Sequence, residues 1–93
     1  MFIEVVGNHQ LPDDVDRDDV EDLLATALRA DGEVTGAGSG SGRWHLDVEV
    51  SADADQFPHV LRRLATALVN QNLGWVVLRP EHEETGKSSR EFA

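Results

Sequence analysis

Residues 43–50, RWHLDVEV, alternate without a break. Trp44, Leu46, Val48 and Val50 are apolar, and Arg43, His45, Asp47 and Glu49 between them are polar or charged. Successive side chains of a strand point to opposite faces, so this segment reads as a strand with one dry face and one wet face. A strand of a parallel sheet covered on both sides would read as a nearly continuous apolar run. The chain is therefore expected to build an antiparallel sheet that is roofed on one side and open to water on the other.

Two helical patterns supply the roof. The first is predicted from an N-cap at Asp18, with Glu21 three residues on completing a capping box and Val20, Leu23, Leu24, Ala27 and Leu28 along one face. ADG at 30–32 ends it, with Gly32 as a left-handed C-cap. The second starts between Asp53 and Pro58, buries Phe57, Val60, Leu61, Leu64, Ala67 and Leu68, and is broken by NQNLG. Phe2–Val6 reads as a first strand, EVTGAG from Glu33 as a weak one that dissolves into glycine, and Trp75–Pro80 as the last.

The order is β-α-β-β-α-β. With right-handed crossovers it closes into an α+β fold of the ferredoxin-like kind: a four-stranded antiparallel sheet, both helices on one face, strands one and three in the centre. The expected core combines Leu23, Leu24, Leu28, Leu46, Val48, Leu61, Leu64 and Leu68. Residues 1–80 form one domain, and the polar, aperiodic tail 81–93 is expected to be disordered.

Composition narrows the function. A chain of 93 residues buries only about two thirds of its unfolded surface, and with no cysteine it has no disulfide or thiolate metal site to support that core. No apolar run approaches the ~20 residues that span a bilayer. MFIEVVGN has neither the basic lead nor the apolar stretch of a signal peptide, so a soluble, cytoplasmic protein is expected. Eighteen acidic residues against eight basic give a net charge of -10. Such a surface repels nucleic acid and anionic lipid and steers towards cationic partners. Lys87 is the single lysine against seven arginines, a bias that suits a GC-rich bacterial or haloarchaeal source. The acidity then reads either as a binding surface or as solubility and salt adaptation.

GAGSGSG at 36–42 is the one stretch that looks like a ligand loop. A phosphate-binding glycine loop leads from a strand into a helix, whose free amides meet the anion. These glycines lead from strand to strand, and the GKS at 86–88 lacks the upstream glycine of a P-loop. The stretch reads as a loose hairpin tip or bulged edge, with no nucleotide expected.

His45, Asp47 and Glu49 share the wet face of their strand, where imidazole and carboxylates would suit zinc or manganese. The alternative is a solvated sheet face. In the expected topology Glu4 neighbours Asp47 and Glu49, and like charges side by side destabilise a sheet unless solvent or a cationic partner relieves them. Trp75 and Arg79 on the last strand either border this face, with the indole as an interface anchor, or Trp75 packs inward. The candidate partner-binding residues are Glu4, His45, Asp47, Glu49, Trp75 and Arg79. No Ser-His-Asp order, HExxH, CxxC or pair of buried carboxylates can be argued from spacing, so no catalytic, metal or cofactor residue is assigned.

GEVTGAGSGSGRWHLDVEV, followed by LRRLATAL, is similar to a group of small bacterial proteins in which a GEVTGxG strand and glycine turn lead into a DxEV-type strand and a helix. The likeness covers residues 32–68, and some of these ferredoxin-like proteins resemble immunity proteins of polymorphic toxin systems. The resemblance implies a non-enzymatic, acidic protein-binding domain, an immunity-type inhibitor of a basic toxin. The chain would act as a monomer or homodimer, without nucleic acid or membrane. The alternatives are a small-molecule or metal-binding regulatory module of the same fold and an accessory domain of an enzyme.

Overall fold

In the computed structural model, which describes residues 1–93, two helices roof one face of an antiparallel sheet. The elements run β1 Phe2–Gly7, α1 Arg17–Leu28, β2 Gly32–Gly40, β3 Arg43–Val50, α2 Phe57–Asn70, β4 Val77–Pro80 and β5 Lys87–Ser88, followed by a 3-10 turn at Ser89–Glu91. The sheet order is β2-β3-β1-β4-β5, every neighbour antiparallel, so β1 and β3 are central as expected. The sheet has five strands, not four.

The alternation of β3 does what its pattern requires. Trp44, Leu46, Val48 and Val50 are buried beneath the helices, together with Ile3 and Val5 of β1 and Leu78 of β4. Val20, Leu24 and Leu28 come down from α1, and Phe57, Val60, Leu61, Leu64, Ala65 and Leu68 from α2, into one cluster. Three of the expected positions differ: Leu23 and Ala27 of α1 are only half-buried, and in α2 Ala65 is buried where Ala67 is only half-buried.

Helix α1 starts two residues earlier than its acidic pattern suggested. Asp16 is the N-cap: its carboxylate accepts from the Asp19 amide, and the Asp19 carboxylate accepts from the Asp16 amide. Two overlapping capping boxes are possible here, and this one places Val15 and Val20 at the staple positions that bracket a helix start. Val20 is in the core and Val15 packs against it. The C-terminus is closed by Arg29 with φ 57°, while Gly32 already belongs to β2. A cation arrives there from α2. Arg63 donates through Nε to the Ala27 carbonyl at 2.6 Å, and through its terminal nitrogen to the Leu28 carbonyl at 3.0 Å and the Asp31 carboxylate at 2.7 Å. Positive charge at the negative end of a helix is favourable, and here it also ties the two helices together.

The glycine stretch does join two strands, but its glycines are not the turn. Gly36, Gly38 and Gly40 lie within β2, and the turn is the pair Ser41 and Gly42, with φ 53° and 76° between the paired Gly40 and Arg43. Two positive φ values in a two-residue loop are the geometry whose twist matches a hairpin.

The tail is ordered. After Pro80 the chain doubles back, and β5 pairs Ser88 with Val77 and Lys87 with Leu78. Ser89 is fully buried, its amide and hydroxyl both donating to the Val76 carbonyl, and Phe92 packs on the core. Ser88 and Glu91 form a capping box around the 3-10 turn. The disorder expected for 81–93 is therefore corrected.

Candidate functional site

The face of the sheet away from the helices is built of cross-strand rows, each set by register. One row runs Glu33, Glu49, Phe2; the next runs Gly36, Asp47, Glu4, Arg79; the third runs Gly38, His45, Val6, Val77. Glu4, His45, Asp47 and Arg79 are half-buried and Glu49 is exposed, so five of the six candidate residues share this surface. Trp75 does not join them. It precedes β4 and stacks edge-on against Trp44, of the helix-covered side, at 6.4 Å, and against His9 at 5.6 Å. The last strand begins two residues later than the apolar run WVVL suggests, and Trp75 anchors an aromatic corner at the sheet's end.

Charges on the face are partly answered from within. Arg79 donates to the Glu4 carboxylate at 3.2 Å and to the Glu83 carbonyl at 3.1 Å, so the cation beside Glu4 is its own sheet neighbour. Arg43 is engaged by the Asn8 side chain at 2.9 Å. His45 Nε2 stands 3.9 Å from an Asp47 oxygen. No group of three His, Cys, Asp or Glu side chains could hold a metal ion.

Glu33 was absent from the sequence-based set, and the reason is a bulge. Counting back from the turn pairs Gly40 with Arg43, Gly38 with His45 and Gly36 with Asp47; Thr35 is then an extra residue, and Val34 falls opposite Val48. A one-residue slip in a strand moves every later side chain to the other face. Here it turns Val34 onto the core and brings Glu33 out, directly opposite Glu49. Both are exposed and no cation bridges them. Like charges directly opposite on a sheet are unfavourable. Only the unbulged register could be counted from the sequence, and that register hides Glu33.

The glycines shape the same surface. Asp47 leans over Gly36, where a Cβ would stand 2.9 Å from its Oδ2, and the His45 ring covers Gly38 so closely that a Cβ there would collide with it. Glycine in these two places lets the side chains of β3 lie across β2 towards the outer edge of the sheet. A second acidic surface exists at the start of α1, where Asp13, Asp14, Asp18 and Asp22 are exposed; Asp16 and Asp19 beside them are occupied with the cap. No helix is long and apolar enough to cross a membrane.

No family model matches this chain, and no curated protein or solved structure does.

Proposed function

We propose that this chain is a non-enzymatic protein-binding domain, a ferredoxin-like arrangement extended by a fifth strand, which docks a basic protein on its open sheet face. The observation that carries the reading is the facing pair Glu33 and Glu49 next to Asp47: three carboxylates without a salt-bridged arginine or lysine, on a face whose two arginines are already engaged. A basic partner would relieve this repulsion on binding, and the surrounding negative potential would speed its approach. Phe2, 48% exposed in the same row, offers an apolar contact beside the carboxylates. An immunity-type inhibitor that covers a cationic toxin is the member of this class that the resemblance over residues 32–68 suggests. Relief of the Glu33–Glu49 repulsion gives the acidity a role beyond solubility.

The test is affinity capture from the native host, run side by side with wild type, Asp47→Lys/Glu49→Lys, and Asp13→Lys/Asp14→Lys/Asp18→Lys. The expected result is a basic protein retained by wild type and the helix variant but lost by the sheet variant. Its association rate should fall steeply with salt, since surface charges are screened beyond about 8 Å at physiological ionic strength. A partner retained by the sheet variant and lost by the helix variant would move the site to α1 and overturn the assignment.

A further inference from the structure

Building on the reading of a basic partner, we infer how that partner is held: an extended, lysine- or arginine-bearing segment adds to the outer edge of β2 as a sixth strand. The two edges of the sheet are treated very differently. At one end β5 is two residues long and is closed off by the turn that buries Ser89. At the other end β2 is nine residues long, paired only with β3, and holds no lysine or proline. Short length, proline, charged side chains and bulges are the devices by which sheets discourage strand addition, and β2 keeps two, the Glu33 charge and the bulge at Thr35, both in its first half. Beyond them Gly36–Gly40 runs uninterrupted to the turn.

The direction of the backbone groups follows from the ladder. Val50 and Met1 exchange both backbone hydrogen bonds, on the β1 side of β3, and the Ser51 amide donates the other way, to Asp31. Since the two sides alternate along a strand, Asp47, His45 and Arg43 bond to Gly36, Gly38 and Gly40. Ala37 and Ser39 therefore turn their N–H and C=O outward. These are the groups an added strand takes up, and main-chain bonds of this kind supply the affinity in strand-addition complexes while alternate side chains supply specificity.

The chemistry of the occupant is set by what reaches the edge. Because Gly36 has no side chain, the Asp47 carboxylate lies over it, within reach of a cation on a neighbouring strand. Glu33 adds its own carboxylate on the same side beyond the bulge, while Arg43 marks the opposite end, beside Gly40. The incoming segment is therefore cationic at the Glu33–Gly36 end and not at the Gly40 end, a polarity that also fixes its register. The chain's charge of -10 argues against a second copy as the occupant.

Ala37→Pro separates this inference from the reading beneath it. Proline removes only an outward amide, which an edge strand tolerates, and leaves the acidic side chains in place. The probe is a labelled short peptide in which lysine alternates with threonine in one half and serine with threonine in the other, titrated by fluorescence anisotropy, with a control methylated on alternate backbone amides. Thermal melts verify that each variant is folded. Binding by wild type, weakened at least about tenfold both by Ala37→Pro and by methylation, is the expected result. Equal binding of the methylated peptide, or of the unmethylated one to folded Ala37→Pro, would refute strand addition. If Asp47→Lys/Glu49→Lys still abolishes that binding, the acidic-face reading survives alone; if neither variant weakens it, or wild type fails to bind, the inference falls. Concentration-dependent dimerisation of wild type that Ala37→Pro abolishes would give the edge to a second copy and overturn the basic occupant.

Discussion

Arg63→Met keeps most of the aliphatic stem of the side chain and removes every donor that joins α2 to the end of α1. Three hydrogen bonds are lost: two to the Ala27 and Leu28 carbonyls and one to Asp31. A hydrogen bond with one charged partner contributes about 1.5–3 kcal/mol when it is buried. The Arg63 side chain is 28% exposed and Asp31 44%, so water replaces part of what is lost, and the ion pair itself adds under about 1 kcal/mol. The two carbonyl bonds dominate, and the net cost is about 2 kcal/mol. For a domain of this length each kcal/mol lowers Tm by about 4–8 °C, so a calorimetric melt should fall by roughly 10 °C. Asp31→Asn, which removes only the ionic part, should move it by less than half as much. High salt separates the two further. At about 1 M, where the screening length is near 3 Å, the effect of Asp31→Asn should vanish while most of the Arg63→Met deficit remains. A deficit that disappears with salt, or a melt of Arg63→Met within about 2 °C of wild type, would refute the claim that this guanidinium caps the helix.

Two further changes probe the glycines and the tail. Gly7→Ala should cost about 1–3 kcal/mol by denaturant titration, because its methyl group would strike the buried Trp44 indole, whereas Gly40→Ala, extended and facing open space, should be neutral or stabilising by under about 1 kcal/mol. Deleting residues 86–93 should lower the melting temperature and raise hydrogen exchange at Val77 and Leu78, since it removes the β5 ladder, the Ser89 bonds to Val76 and the Phe92 contact.

Periodicity carried most of the architecture. The apolar side of β3 projects where spacing alone put it, that of α2 does so at every expected position but Ala67, and the central position of β1 and β3 follows from the order of elements and the handedness of crossovers. What failed was information carried by single long-range contacts. Arg63 reads as one more solvated charge on a helix, because its partners lie more than thirty residues away. Glycine propensity argues against a strand, yet β2 persists through Gly40 because Asp47 and His45 cover two of its glycines and β3 pairs along its length. The tail has a two-residue strand and one apolar anchor, too little for any period to appear, although the Ser88–Glu91 spacing was a readable cap signal. Of the candidate site, Glu4 beside Asp47 was legible from topology, while Glu33 depended on the bulge and Trp75 on a strand start displaced by two residues.

The central place of β1 has a consequence for how the chain is made. Ile3 pairs with Val48 on one side and Pro80 on the other, so the strand synthesised first is flanked by strands synthesised much later. At about 5–20 residues per second it waits several seconds for both neighbours. During that interval the β2–β3 hairpin, closed by Ser41 and Gly42, can form from local contacts alone and present β3 as a template. Four of the six residues of β1 are apolar, Phe2, Ile3, Val5 and Val6, and Glu4 interrupts them. A carboxylate inside an apolar run is the kind of residue that discourages aggregation of an unpaired strand, and in the finished sheet Arg79 pairs with it.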